Sequence, residues 1–129
     1  MKRRDLLLLW GYSLPVVAIS VLPISYEADQ SLNEINIVFF RLDYLLHTAI
    51  FLIWGLVAGL CIIKVSENKQ KSIIVFGLIG ILLAVLTELI QKFLPYRGYN
   101  VYDMIGNVLG VLLSFGFWMI ILKKKRIGD

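Results

Sequence analysis

The fold is organised around residues 87–114, which read TELIQKFLPYRGYNVYDMIGNVLGVLLS. It joins two apolar runs, residues 73–93 and 101–122, through a short polar turn that is rich in tyrosine. The end of the first run contains Glu88 and Gln91, and the start of the second contains Asp103 and Asn107. Because ionisable groups inside apolar helices are costly, they usually mark a functional site.

The composition of the whole chain is that of a membrane protein. Of its 129 residues, 59% are hydrophobic and 17% are charged, and the mean hydropathy is +0.81. Apolar runs of about 18 residues or more are typical of membrane spans. Four such runs are present: residues 6–24, 44–63, 73–93 and 101–122. We therefore predict an all-α, four-transmembrane-helix bundle that forms a single domain over residues 1–129, with its function in the spans and their short connections.

The basic residues predict how the bundle is oriented. Ten of the thirteen lie in three clusters, at residues 2–4, 64–71 and 123–126. Since positive charge near span ends stays in the cytoplasm, we expect both termini to be cytoplasmic and residues 25–43 and 94–100 to lie outside. Charge divided among three small anchors does not favour nucleic-acid binding. The expected location is a membrane, and the expected partners are membrane lipids.

The first run, residues 6–24, has the basic start and leucine-rich core of a signal peptide. The run is nevertheless long enough to span, and retaining it gives four spans with a consistent charge bias. We therefore predict a retained helix, with a kink at Pro15. The connection that follows, residues 25–42, mixes acidic and apolar residues. It fits either a short amphipathic piece on the membrane surface or a solvated loop.

Small residues predict which helix faces pack together. Two pairs have the GxxxG spacing: Gly55 with Gly59, and Gly106 with Gly110. A single helical stripe in the third span contains Gly77, Gly80, Ala84, Glu88 and Gln91. A second stripe in the fourth span contains Asp103, Asn107, Gly110 and Ser114. We expect these stripes to face the interior of the bundle, and the GxxxG faces also suit a homo-oligomer.

Combining orientation with stripe direction predicts one polar cluster at the outer edge of the membrane. Asp43 and His47 are four residues apart and share one helix face. The predicted ligand-binding residues are Asp43, His47, Glu88, Gln91, Arg97, Asp103 and Asn107. Taken singly, each also has a structural interpretation: an aspartate can cap a helix, an arginine can anchor at headgroups, and an amide can bond between helices. Taken together, they indicate a ligand site.

Nothing in the sequence is typical of a metal or cofactor motif. The only cysteine is Cys61, in an apolar run, and the only histidine is His47. A divalent ion held by His47, Glu88 and Asp103 is one variant for an enzyme, but one histidine is few for zinc. We therefore expect no metal and no cofactor.

The ordering of these residues resembles the VanZ-like family of small integral membrane proteins. The resemblance covers residues 43–114 and depends on three motifs: Asp43-x-x-x-His47, then Glu88-Leu-Ile-Gln91 with Pro95 and Arg97, then Asp103-x-x-x-Asn107-x-x-Gly110. Tyr44 stands where the family often has lysine. The resemblance implies a plasma-membrane protein acting on the envelope side, and a link to low-level teicoplanin resistance. It implies a location and a phenotype, and it does not imply a mechanism.

Three functions are compatible with the sequence. The preferred one is an outer-leaflet pocket that binds or remodels an envelope lipid or cell-wall precursor, with Arg97 clamping a phosphate or carboxylate. The alternative is an intramembrane lipid-modifying enzyme, in which His47 beside Asp43 acts as a general base and Glu88 as an acid. The third is a structural or partner-binding helix bundle. The sequence alone assigns no catalytic residue.

Overall fold

The computed structural model describes residues 36, 37, 40–95 and 99–128, together with Gly11, Ser13, Pro15 and Ala18. From residue 36 onward, the first elements are two short strands, β1 (Asn36–Ile37) and β2 (Phe40–Arg41). They pair antiparallel, with Asn36 opposite Arg41. Three helices follow: α1 (Leu42–Val65), α2 (Lys69–Gln91) and α3 (Val101–Gly128).

All three helices are long and apolar enough to cross a membrane. The 23 residues of α2, the shortest of them, extend about 35 Å at 1.5 Å per residue, which exceeds a hydrocarbon core of about 30 Å. The helical fold and three of the four predicted spans are thereby confirmed. The predicted ends lie close to those of the helices, except that α3 continues beyond residue 122 through the lysine cluster.

Most of the first predicted span, residues 6–24, lies outside the described residues. Gly11, Ser13, Pro15 and Ala18 are helical, and the Ser13 hydroxyl accepts a hydrogen bond from Trp54 Nε1 on α1 at 3.2 Å. A fourth spanning helix, the kink at Pro15 and the cytoplasmic termini stay predictions.

The connection at residues 25–42 also lies mostly outside the described residues. Its described part contains the β1–β2 pair. Neither of the two interpretations of this connection included a strand pair. A two-residue strand is too short to leave an alternating pattern, so it could not be predicted from the sequence.

The closest helix contact is between α1 and α3, and glycines permit it. A side chain at Gly110 would overlap the Thr48 carbonyl oxygen and would lie 2.8 Å from Leu52 N. Gly59 faces the indole of Trp118 in the same way, and Trp118 Nε1 donates to the Gly55 carbonyl at 3.2 Å. The predicted GxxxG faces are therefore used between helices of one chain. A homo-oligomer stays a prediction.

Helix α2 packs on this pair along the predicted stripe. Gly80, Ala84, Glu88 and Gln91 are buried, which confirms the stripe, and Gly77 is half-buried against Phe115. The opposite face carries exposed leucines such as Leu78 and Leu82, as expected for a surface in contact with lipid.

The apolar core lies midway along the bundle, between the three helices. Its buried members include Phe51, Trp54, Ala84 and Val111, and Trp54 stacks on Phe76 with 5.5 Å between ring centroids. Gly80 leaves space for this indole, because a side chain there would lie 2.7 Å from Trp54 Cζ3. This packing fixes the rotation of the helices, and so it decides which side chains meet at their ends.

Candidate functional site

Six of the seven predicted site residues lie at one end of the bundle. This polar end comprises the first two turns of α1 and α3 and the last turn of α2. The six side chains and their exposed fractions are Asp43 7%, His47 6%, Glu88 0%, Gln91 1%, Asp103 5% and Asn107 0%. Arg97, the seventh, lies outside the described residues. The spacing of these residues on three separate helices thus brings them together without exposing them.

His47 is held by a hydrogen bond across the α1–α3 interface. Its Nδ1 lies 3.0 Å from Asn107 Oδ1, and both side chains are buried. A carbonyl oxygen can only accept, so Nδ1 carries a proton and donates it to Asn107. In the neutral imidazole this leaves the lone pair on Nε2.

The Asp43 carboxylate lies beside that second ring nitrogen, and Asp103 lies nearby. His47 Nε2 is 3.6 Å from Asp43 Oδ1 one helical turn away, which is too long for a hydrogen bond. Asp103 contributes an oxygen from α3, so that one ligand atom from each of Asp43, His47 and Asp103 lies within 4.8 Å of the others. These three residues are the metal-ligating group that the described part of the chain offers. The set predicted from the sequence, His47, Glu88 and Asp103, had Glu88 in place of Asp43.

Glu88 joins the end of α2 to the start of α3. Its Oε1 accepts a hydrogen bond from the backbone N–H of Asn100 at 3.2 Å. This bond crosses the turn between the helices and ties the buried carboxylate to the residue just before α3. Glu88 therefore lies at the same end of the bundle as His47 and does not face lipid.

Asn100 is a positioning residue that the sequence argument missed. Its Oδ1 accepts from the Tyr102 N–H at 3.0 Å, and its Nδ2 donates to Asp103 Oδ1 at 3.2 Å. Asn100 thus caps α3 and orients the Asp103 carboxylate. The signal was present, because an asparagine followed three residues later by an acidic residue, just before an apolar run, is typical of a helix start.

The amide nitrogen of Asn107 is a buried donor. Asn107 Nδ2 has no hydrogen-bond partner among the described residues, although the side chain is 0% exposed. Leaving such a donor unsatisfied costs about 1–3 kcal/mol. A ligand oxygen at this position would remove that cost.

The cluster therefore combines three carboxylates, one imidazole and two amides in a setting shielded from water. It can bind a cation, hydrogen-bond a polar headgroup or accept a proton at His47 Nε2. The chain matches no protein-family model, and comparisons with curated proteins and with solved structures found no match. The resemblance to the VanZ-like family accordingly stays an interpretation of the motifs at residues 43–47, 88–97 and 103–110.

Proposed function

We propose that the protein is a VanZ-like, multi-pass plasma-membrane protein that binds the polar headgroup of an envelope lipid or cell-wall precursor at its polar end. The observation that carries the proposal is the complete burial of Glu88 beside the polar ends of α1 and α3. Ionisable side chains within membrane helices are costly even near a helix end, and such residues usually serve a function.

The charge distribution supports an outer-leaflet position for this headgroup site. The connection between α1 and α2 is flanked by Lys64, Lys69 and Lys71, and positive charge of this kind stays in the cytoplasm. The polar end is at the other end of the helices. The site would then be open to lipids and precursors on the envelope side.

Each polar group has a role in headgroup recognition. Asn107 Nδ2 and the Gln91 amide supply directional hydrogen bonds. Arg97, in the turn between α2 and α3, clamps a phosphate or carboxylate through its planar fork of donors. Glu88 and Asp103 orient Arg97 or bind an amine. Binding of a cell-wall precursor at this depth is the route by which the protein would lower susceptibility to teicoplanin, an antibiotic with an acyl tail that acts near the membrane.

Lipid analysis of the purified protein tests the proposal. The full chain is extracted from bacterial membranes in mild detergent, and copurifying lipids are identified by mass spectrometry. We expect one polar lipid species enriched on the wild type and reduced about tenfold or more on Glu88→Gln, as for the loss of a charged hydrogen bond of about 1.5–3 kcal/mol. The matched control is Glu67→Gln, because Glu67 is an exposed carboxylate in the α1–α2 connection.

Circular dichroism on each variant separates loss of ligand from loss of fold. Equal lipid content in the wild type and in a folded Glu88→Gln variant would refute the proposal. That result would favour the structural or partner-binding bundle, in which the polar groups serve assembly only.

One observation favours the lipid-modifying enzyme as the second candidate. Asn107 fixes the His47 tautomer, and Nε2 lies beside Asp43, so the ring is prepared to act as a general base. The same mass spectrometry separates the two functions. A binding protein retains an intact lipid, whereas an enzyme incubated with membrane extract accumulates a processed one that His47→Gln does not produce.

A further inference from the structure

We infer that Asp43, His47 and Asp103 form a binding site for one divalent transition-metal ion, Zn²⁺ or Mn²⁺. An open coordination position on the ion would take a phosphate oxygen of the headgroup, and this one step rests on the proposed function. The metal site itself depends only on the three ligands and on Asn107.

The spacing of the ligand atoms fits one ion better than it fits hydrogen bonds. Two ligands that lie about 2.1 Å from a tetrahedral ion are about 3.4 Å apart. The 3.6 Å between His47 Nε2 and Asp43 Oδ1 is close to this value and is beyond hydrogen-bonding range. The three ligand atoms as a group lie within 4.8 Å of one another, so binding of one ion would draw the carboxylate oxygens closer to His47.

Asn107 provides the hydrogen-bond acceptor that a metal-ligating histidine usually has on its other ring nitrogen. Such a histidine usually donates its other ring N–H to a carbonyl or carboxylate, which fixes the tautomer and directs the lone pair at the metal. Asn107 Oδ1 accepts from His47 Nδ1 at 3.0 Å, so the lone pair lies on Nε2, beside Asp43.

The buried amide nitrogen is the independent indication of a ligand. Asn107 Nδ2 belongs to the same carboxamide that holds His47, and it has no hydrogen-bond partner in the described part of the chain. Because the two ring nitrogens of His47 point apart, this amide nitrogen is too far from an ion on Nε2 to reach a water bound there, but it is suited to donate to a second oxygen of a phosphate bound on the ion. The imidazole and carboxylate ligands would hold the ion, and the amide would select what binds to it.

The helix packing makes this set of ligands rigid. Asp43 and His47 come from α1, and Asp103 comes from α3. The two helices approach closely beside the ligands, because a side chain at Gly106 would lie 3.0 Å from the Tyr44 carbonyl oxygen. Ligands carried on two closely packed helices keep their separation, and this favours metal affinity.

The donor set decides the class of metal. Imidazole nitrogen suits zinc and other transition metals, whereas carboxylate oxygen suits manganese, magnesium and calcium. One nitrogen and two carboxylates together favour Zn²⁺ or Mn²⁺ over the all-oxygen sites of magnesium and calcium. Three protein ligands leave at least one open position, as in zinc sites that bind substrate.

Metal binding by the purified full chain tests the inference. Protein in detergent is stripped with chelator, dialysed against Zn²⁺ or Mn²⁺, and measured by elemental mass spectrometry. We expect one ion per chain. Asn107→Leu, which removes the support of His47, should weaken binding about 10–100-fold, and His47→Gln and Asp103→Asn should weaken it by at least as much. Glu67→Gln, which neutralises an exposed carboxylate at the opposite end of α1, should leave binding unchanged.

Electron paramagnetic resonance supplies a second readout on the Mn²⁺ form. Coupling to an imidazole nitrogen should appear in the wild type and disappear in His47→Gln. Equal ion content in the wild type and in folded His47→Gln would overturn the inference.

Glu88→Gln keeps the tests of the metal site and of the proposed function apart. This variant should lose the lipid and retain the ion, because Glu88 is not among the three ligands. A stripped wild type that still holds lipid, and that takes up no ion when metal is restored, would refute the metal site and leave the proposed function standing. Ion binding without any copurified lipid would refute the proposed function and leave the metal site standing.

Discussion

At the scale of single residues, Asn107 has the most demanding position. Its carboxamide is fully buried, its oxygen holds His47, and its nitrogen has no hydrogen-bond partner among the residues that the structure describes. The residue type was predictable as a buried polar group, because Asn107 lies on a stripe of small residues. Its pairing with His47 was not predictable, because it depends on how α1 and α3 are rotated about their axes. The spacing of residues along each helix does not specify how the two helices are rotated relative to each other.

Replacing Asn107 with leucine should change the state of His47 more than it changes the fold. Asn107→Leu keeps a similar volume and removes both polar atoms, so the stability cost should stay within about 1–3 kcal/mol. Nitrogen NMR of the labelled single histidine should show the Nδ1-protonated tautomer in the wild type and lose it in the variant. A His47 spectrum identical in both proteins would mean that Asn107 does not hold the ring.

At the scale of helices, the spans were predictable and their ends were only partly so. Long apolar runs and the helical spacing of Gly80, Ala84 and Glu88 suffice to locate α2 and its buried face. The role of Asn100 was not predicted, because Asp103 is also a capping residue type and the spacing does not decide between the two. Asp103 was interpreted as a helix cap or a ligand, and Asn100 takes the capping role at α3.

Replacing each of two helix-capping residues should separate effects on stability from effects on ligand binding. Asn68 caps α2 by accepting from the Lys71 N–H at 3.1 Å, and Asn100 caps α3. Replacing either with alanine should lower stability by about 1 kcal/mol, measured as the shift in thermal unfolding in detergent. Only Asn100→Ala should also weaken lipid or metal binding, because Asn100 orients Asp103. Equal binding by both variants would show that the cap has no part in the site.

A glycine pair tests the contact between α1 and α3. Gly110→Val should separate the helices, because a side chain there meets the backbone of Thr48 and Leu52. Backbone atoms cannot rotate away as a side chain can. We therefore expect the free energy of unfolding to fall by about 1–3 kcal/mol or more, as is typical when a closely packed interior is overpacked. The control is Gly116→Ala, where nothing lies within 4 Å. It should be neutral or stabilising by up to about 1 kcal/mol. Similar unfolding temperatures for the two variants would contradict the packing described.

At the scale of the whole molecule, the orientation in the membrane decides which ligands can reach the site. The three helices alone are equally compatible with either direction of insertion. The lysines that flank the α1–α2 connection break this symmetry, because positive charge stays in the cytoplasm. An outer-leaflet ligand therefore depends on the basic clusters as much as on the polar end itself.

Cysteine labelling in intact cells measures this orientation directly. In a Cys61→Ser background, Glu67→Cys introduces a thiol in the α1–α2 connection, and Tyr99→Cys introduces one just before α3. Both positions are exposed. A membrane-impermeant maleimide should label Tyr99→Cys in intact cells and should label Glu67→Cys only after the membrane is broken, because the lysines beside Glu67 predict that this connection is cytoplasmic. The opposite pattern would put Asp43, His47 and Glu88 at the cytoplasmic face, where no envelope precursor on the outer surface could reach them.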